Sequence, residues 1–269
     1  MATNSAVKMP GEAASAPGAE GARRVLAVLL AFSARRHTLT ARDLAESTGI
    51  PLPSMYRYIA LLRETGLLVG DDRGSYRLTA RLIGLARAAE AAESIIDIAD
   101  PVMRRLSSET GETVILVRLI ARSAICVHRV ESSHHLRTTF EPGQAMPLER
   151  GASGRLLLAG MTPEARADFL ASLHFDDPEA GRRLEEKVML AAQRGWAVSE
   201  EEIDRGVWAA SAAVTDARSI VASLTVPSPL VRAPASQQER LLSQVRAAAM
   251  AVSDALREAR RYAGRGVPG

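Results

Sequence analysis

The sequence has 269 residues, of which 47% are hydrophobic and 4% aromatic, so a sizeable core must be built from aliphatic side chains and alanine. A single cysteine, Cys126, excludes an internal disulfide framework and a cysteine-rich zinc site. No run approaches the roughly 18 apolar residues of a membrane-spanning helix, and the N-terminus carries no apolar signal segment. We therefore expect a cytoplasmic protein.

The excess positive charge lies in the first third of the chain. The whole chain has 34 basic and 31 acidic residues, a net charge of +3. Up to Ala80 there are ten basic and seven acidic residues, and the remainder has 24 of each. Arginine, which supplies nearly all of the positive charge, suits bidentate contacts with phosphate and guanine. A GC-rich genome would also favour arginine, but it would not explain this segregation.

Two helices are predicted near the N-terminus. Residues 1–20 are small and polar, which predicts a disordered tail. The apolar run from Arg24 to Phe32 predicts the first helix. Thr40 followed by Asp43 is typical of a helix N-cap, and Gly49 of a helix stop, so a second helix of about two turns is expected between them.

The third helix carries one buried stripe. Met55, Tyr58, Ile59 and Leu62 follow the i, i+3, i+4, i+7 spacing, and Gly66 ends the pattern. The opposite face of this helix presents five residues, namely Pro53, Ser54, Tyr56, Arg57 and Ala60. Arg57 lies in the middle of that face and could read guanine or contact phosphate, while Ser54 and Tyr56 could donate hydrogen bonds.

A hairpin follows, with strands predicted at 67–70 and 75–78 and a turn that needs the conformational freedom of Gly74. Three helices and a hairpin are typical of a winged helix-turn-helix, which we place at 21–78. Because the major groove of B-DNA is about 12 Å wide and admits one helix, the third helix would read bases and the wing would contact the backbone through Arg73 and Arg77. A protein-binding winged helix is the alternative.

The rest of the chain predicts a mixed domain. A helix at 79–93 joins the two halves, the second domain is placed at 94–262, and 263–269 form a flexible tail. Within this domain we predict helices at 101–110, 155–159, 163–173, 179–194 and 236–261, and strands in the segments "ETVILVRLI", "SAICVHRV", 136–140, "VWAASAAVTD" and "SIVASLTVPS". Strands and helices mixed in one block indicate an α+β domain.

The segment "LTARDLAESTGIPLPSMYRYIALLRETGLLVGDDRGSYRL" resembles the DNA-binding block of the IclR family of bacterial transcription regulators. In the second half, "ETGETVILVRL", "GASGRLLLA" and "RGWAVSEEEIDRGVWAASAAVTD" resemble motifs of the same family in the same order. The resemblance covers about 23–257. Tyr56 stands where the family often has histidine, which would change the base preference.

The resemblance implies the full set of DNA contacts and the architecture. The residues expected to contact operator DNA are Arg24, Thr40, Pro53, Ser54, Tyr56, Arg57, Arg63, Arg73 and Arg77. The resemblance also implies a GAF-like effector-binding domain, with a small organic ligand in the cup of its sheet, and a dimer or dimer of dimers.

The turn from Gly151 to Gly154, at the entry to a helix, presents free N–H groups that favour a carboxylate. Leu136, Thr138, Met146 and Leu148 could line the apolar side of such a site, with core packing as the alternative for the last two. The remaining expected effector contacts are Gly151, Ala152, Ser153, Ser199, Glu200, Ala209, Thr225 and Pro227, of which the last five positions follow from the resemblance. Ser199, Ala209 and Pro227 depart from the polar pattern of the family and favour a partly apolar acid, aromatic acids included, over glyoxylate.

Other polar clusters do not predict a site. Glu200 to Glu202 form a charge run typical of a solvated face, and the neighbouring His134 and His135 would point to opposite faces of a strand. Cys126 and His128, two apart on one strand face, would be core or pocket wall. We expect no metal, cofactor or catalytic group. We expect instead a transcription regulator controlled by a ligand, and a repressor in preference to an activator. The alternatives are an enzyme with an accessory winged helix, or an activator.

Overall fold

The computed structural model describes residues 18–33, 36–92, 94–135, 140–175, 177–216 and 219–263. The chain divides into two compact units, Met1–Glu93 and Ser94–Gly269. Most of both predicted tails lies outside the described residues. Of the strand predicted at 136–140, only Phe140 is described, and it is in neither a helix nor a strand.

The first unit begins with three helices, and local hydrogen bonds set their ends. Its elements are α1 (Glu20–Leu30), β1 (Leu39–Thr40), α2 (Ala41–Thr48), α3 (Leu52–Glu64), β2 (Leu68–Gly70), β3 (Ser75–Leu78) and α4 (Arg81–Ala92). The predicted cap of α2 is confirmed: the Thr40 hydroxyl accepts from the Asp43 N–H, and the Asp43 carboxylate accepts from the Thr40 N–H at 2.8 Å. The predicted start of α1 at Arg24 is wrong, because the helix extends back to Glu20, whose carboxylate pairs with Arg24 at 2.8 Å.

The buried stripe of α3 is confirmed. Met55, Tyr58, Ile59 and Leu62 are all buried and pack with apolar residues of α1 and α2 around Val28. The opposite face of α3 is left at the surface of the unit, as helical periodicity requires.

The predicted hairpin is part of a three-stranded sheet. β2 and β3 pair in antiparallel fashion, with Gly74 at φ +75° in the turn between them. Strand β1 adds to the other edge of β3, where Leu39 pairs with Tyr76. The sequence did not predict β1, because two residues are too few for an alternating pattern to be recognised.

The second unit contains one antiparallel sheet of six strands, in the order β6-β5-β4-β9-β8-β7. Its elements are α5 (Ser94–Thr110), β4 (Val114–Ile120), β5 (Ser123–Val130), β6 (Ala145–Met146), α6 (Gly151–Ala159), α7 (Pro163–Ala171), α8 (Pro178–Arg194), β7 (Trp196–Glu200), β8 (Val207–Thr215), β9 (Ile220–Pro229) and α9 (Ala235–Ala263). One face of the sheet packs on α5 and α9, and the other on α6, α7 and α8. The α+β, GAF-like class is therefore confirmed, although the sequence analysis missed β6 and β7.

Helix α5 corrects the predicted break at Pro101. The helix runs through the proline, which lacks the N–H that would bond to the Asp97 carbonyl. Ile95, Ala99 and Met103 form a buried stripe in the core cluster on both sides of Pro101, and the proline ring is exposed. Burial of this stripe outweighs the local preference of proline to end a helix.

Helix α6 corrects the predicted glycine turn. The helix begins at Gly151 rather than at Arg155, so the small residues form its first turn. A methyl group added at Gly154 would lie 2.3 Å from the Leu148 carbonyl oxygen. The glycine is therefore required by close packing of α6 against the preceding loop, whose backbone cannot move aside cheaply.

We predict that Gly154→Ala destabilises the second unit. Alanine would gain up to about 1 kcal/mol in helix propensity, but overpacking against backbone costs about 1–3 kcal/mol, so the clash should dominate. Both tryptophans, Trp196 and Trp208, lie in this unit, and their fluorescence during urea unfolding measures its stability.

Gly181→Ala is the matched control, because its added methyl would meet only the Phe175 ring at 3.2 Å, and a side chain can shift. Its unfolding midpoint should equal or exceed that of the wild type, because the same gain in helix propensity is opposed only by a side chain that can shift. A Gly154→Ala protein at least as stable as the wild type would contradict the packing argument.

Candidate functional sites

The outward face of α3 is available for a partner. Pro53, Tyr56, Arg57 and Ala60 are exposed, and Ser54 is half-buried. Tyr56 keeps 54% of its surface exposed although it is a large aromatic residue. Arg63 lies in the last turn, seven residues after Tyr56, and therefore close to the same line along the helix.

Tyr58 links two of the predicted DNA contacts. The Arg57 guanidinium lies 5.3 Å from the centre of the Tyr58 ring and donates to the Tyr58 hydroxyl at 3.4 Å. Hydrogen bonds from Arg57 and then from Arg24 lower the pKa of the Tyr58 hydroxyl. From the sequence, Tyr58 was predicted only as a core residue. Its place in the apolar stripe of α3 shows that the ring is buried, but it does not show which groups the hydroxyl contacts.

The remaining predicted DNA contacts lie around α3. Arg73 is exposed in the turn of the hairpin, where its N–H donates to the Asp71 carboxylate at 2.9 Å, and Arg77 is exposed on β3. The Thr40 hydroxyl is engaged in the cap of α2, where it also donates to Asp43 at 2.7 Å.

A small cavity lies in the second unit between α6, the sheet and the loop 201–206, which joins β7 to β8. Its volume is about 30 Å³. The predicted residues that line it are Met146, Ala152, Ser153, Ser199, Ala209, Thr225 and Pro227. The lining residues that were not predicted are Ile115, Phe140, Glu202, Ile203, Asp204 and Val207.

Several predicted effector contacts do not line this cavity. Leu148 is buried in the apolar cluster beneath α6, Gly151 lies beside the cavity under Ile203, and Glu200 is exposed. Leu136 and Thr138 lie outside the described residues. These five positions remain predictions as ligand contacts.

Three buried hydroxyls lie together at the cavity. The Thr225 hydroxyl lies 2.8 Å from that of Ser153 and 2.7 Å from that of Ser211, and the latter two are 3.3 Å apart. Three hydroxyls in mutual contact can each donate and accept within the group, which offsets the cost of burying them. They give the cavity an uncharged polar group, apart from the acidic residues of the loop 201–206.

The N-terminus of α6 already holds a carboxylate. Glu202 accepts from the Gly151 N–H at 3.0 Å, is hydrogen-bonded to Arg155, and lies 3.5 Å from Lys187. Burial raises the pKa of the Glu202 carboxyl, but these donors outweigh burial and bring the pKa below its usual value. The interpretation of the acidic run as a solvated face is therefore wrong for Glu202.

The strand that carries Cys126 and His128 also corrects an expectation. A bulge lies at Val127, since Leu116 pairs with His128 and the next residue, Val117, pairs with Cys126. An extra residue reverses the alternation of side chains. His128 therefore contacts Asp100 of α5 at 2.7 Å, while Cys126 faces the opposite core cluster.

The geometry gives no nucleophilic pair at these positions. Burial raises the pKa of the Cys126 thiol to about 12, so it stays protonated at neutral pH. His134 and His135 follow the end of β5 instead of lying in a strand. Within the described residues, no three or more His, Cys, Asp or Glu side chains form a group that could hold a metal ion. Nor does any described helix have the length and apolarity to cross a membrane.

Comparison with known proteins matches both units. The profile described as IclR helix-turn-helix domain matches residues 21–72, and that described as Bacterial transcriptional regulator IclR C-terminal matches 88–254. The HTH-type transcriptional regulator KipR of Bacillus subtilis is 26% identical over 234 residues, which are 84% of this chain and 92% of KipR.

Two further matches extend over most of the chain. The HTH-type transcriptional repressor AllR of Escherichia coli is 25% identical over 263 residues, covering 92% of this chain and 94% of AllR. A crystal structure of an IclR homolog of Microbacterium hydrocarbonoxydans, complexed with 4-hydroxybenzoate, has a TM-score of 0.70 at 23% identity and covers 88% of this chain and 99% of that one. Because the matched profiles include the outward face of α3 and the cavity, the chain belongs to the IclR family of bacterial transcriptional regulators.

Proposed function

We propose that this regulator is a repressor that binds operator DNA through α3 and the hairpin β2–β3, and that a small organic acid with an apolar body controls it. The exposed face around Arg57 supports the DNA contact, and the cavity beside α6 supports the ligand. AllR, a relative along nearly the whole chain, is named a repressor. The Ser153 hydroxyl has hydroxyl neighbours instead of a base, which favours ligand binding over catalysis at the cavity.

Arg57 is the central residue of the proposed DNA contact. It is exposed on α3 and its guanidinium lies over the Tyr58 ring, which limits the conformations that it must give up on binding. Arginine donates in a fork that matches guanine or phosphate. Arg63, Arg73 and Arg77 would add charge along the same approach.

We predict that Arg57→Ala lowers operator affinity by about 1–3 kcal/mol, roughly 5- to 150-fold, if Arg57 reads a base. The measurement is a titration of labelled DNA from upstream of the protein's own gene, at several salt concentrations and alongside unrelated DNA of equal length. The loss should be greater on the operator than on unrelated DNA, because base contacts carry the specificity.

Arg240→Ala is the control, because Arg240 is an exposed arginine of α9 in the second unit. The Arg240→Ala variant loses the same charge, and the ratio of its affinity for the operator to its affinity for unrelated DNA should stay unchanged. If Arg57→Ala lost the same affinity for both DNAs, Arg57 would contact phosphate and not a base. If it lost no affinity, Arg57 would not be part of the DNA interface.

The cavity supports an effector that is largely apolar. Ala209, Pro227 and Ile115 line it, and its polar groups are Ser199, the hydroxyl cluster and the acidic residues of the loop 201–206. An apolar cavity of ~150 Å³ is known to hold benzene, so about 30 Å³ admits no aromatic ring unless lining residues move. The homolog crystallised with 4-hydroxybenzoate supports an aromatic acid as the class to test first.

Helix α4 supports a dimer. Ile83 and Leu85 are 54% and 62% exposed on a helix that has no buried residue within 81–89. Ile83 and Leu85 lie on different sides of the helix, but Leu85 shares its side with Leu82, three residues earlier. This apolar stripe is expected to be covered by a partner, and a second copy would suit a two-fold operator. The start of α4 is tied to the end of α3, since Arg81 donates to the Thr65 carbonyl at 2.9 Å and Thr79 to the Gly66 carbonyl at 2.6 Å.

We predict that Leu85→Glu weakens the dimer and lowers operator affinity, because two like charges would be buried at the proposed contact. Analytical ultracentrifugation gives the assembly state, and DNA titration gives the affinity. Val231→Glu is the control, since Val231 is 82% exposed elsewhere and should change neither. An unchanged assembly state and affinity for Leu85→Glu would argue against α4 as the dimer contact.

A further inference from the structure

The carboxylate of Glu202 occupies the place that α6 offers to an anion. Its two oxygens accept from the Gly151 N–H and from Arg155, across 51 and 47 residues of chain. The positive end of the helix dipole adds to this attraction. A free carboxylate that reached this place would find the same two donors.

Arg155 requires the occupant to be an anion. The residue is only 6% exposed; one of its terminal nitrogens donates to the Val198 carbonyl at 2.6 Å and the other to Glu202, while Nε has no protein partner. A buried guanidinium that loses its counter-charge is strongly destabilising. Lys187 contributes little, since its side chain is 55% exposed.

The loop that carries Glu202 also closes the cavity. Ile203 packs so closely on Gly151 that a methyl group there would lie 2.6 Å from its Cδ1. Glu202, Ile203 and Asp204 all line the cavity, and the residues at the two ends of the loop, Glu201 and Gly206, both have positive φ. Withdrawal of Glu202 from α6 therefore also withdraws the side chains that keep the cavity near 30 Å³.

We infer that Glu202 is an internal competitor of the effector. A carboxylate ligand binds by replacing Glu202 at the Gly151 N–H and at Arg155, and this exchange frees the loop 201–206 and enlarges the cavity. Neutral compounds and amines fail because they leave Arg155 without a counter-charge. The inference rests on the proposed function for the acidic nature of the effector, but the exchange itself can be tested without DNA.

The test is thermal unfolding of the full chain, followed by tryptophan fluorescence, in sodium benzoate, sodium acetate, benzamide and sodium chloride at matched ionic strength. Glu202→Gln and Glu202→Ala should be less stable than the wild type, because Arg155 loses its partner. Acetate and benzoate should raise their unfolding midpoints at concentrations about ten-fold or more below those that act on the wild type, since no internal carboxylate competes. Benzamide should not do so.

Glu201→Gln is the matched control. Glu201 is the neighbouring carboxylate and accepts from the Gly206 N–H at 2.7 Å, but it has no buried arginine as a partner. The unfolding midpoint of the Glu201→Gln variant should respond to the acids as that of the wild type does. If one Glu202 variant is too unstable to measure, the other variant decides the test. A variant that is unfolded in chloride but folded in acetate would support the inference.

The inference would be overturned if the acids raised the unfolding midpoints of the Glu202 variants only at the concentrations that act on the wild type. It would also be overturned if benzamide raised those midpoints as much as the acids do. If the acids restore the Glu202 variants but change operator binding in neither variant nor wild type, the exchange stands and the proposed acid effector is wrong.

Discussion

The buried positive charge of Arg155 is the constraint around which the site in the second unit is arranged. The guanidinium holds the Val198 carbonyl of β7 and the Glu202 carboxylate of the next loop, and so joins α6 to both. Because a buried charge must be paired, the loop can leave α6 only if something else supplies the negative charge. The same ion pair therefore stabilises the unit and restricts what can open the cavity.

A ligand can alter DNA binding only if it binds two arrangements of the protein with different affinity. Exchange at Glu202 would supply such a difference, since the loop is held in one arrangement and released in the other. In the first unit, Arg81 and Thr79 fix the start of α4 to the two residues that follow α3. A shift of α4 within a dimer would then change where the two copies of α3 lie relative to their half-sites.

Patterns of apolar residues predicted several of the elements. The stripe of α3 and the strands β4, β5, β8 and β9 were all predicted in this way. These patterns did not predict strands of two residues, the helix through Pro101 or the bulge at Val127, because each of these depends on packing against distant residues. The bulge matters most, since one extra residue placed His128 and Cys126 on opposite faces.

Only part of the cavity lining was predicted from the sequence, because some of its residues come together only in the fold. The glycine-rich entry to α6 indicated a site from its residues alone, and the resemblance to the IclR family indicated positions in β8 and β9. Ser153, Ala209 and Thr225 do line the cavity. The role of Glu202 was hidden in a run of three glutamates, which by composition predicts a solvated surface. Only the fold shows that the third glutamate reaches a helix 51 residues earlier.

Exchange of one carboxylate for another has a consequence for specificity. The ligand's charged end replaces contacts that Glu202 already made, so those contacts contribute little net affinity, and the apolar body must supply the rest. Burial of each methylene contributes about 0.8 kcal/mol, roughly four-fold in affinity. Affinity among acids should therefore follow the apolar area that fits beside Ile115, Ala209 and Pro227. Acids as small as glyoxylate lack that area and should displace the loop of the wild type only at high concentration.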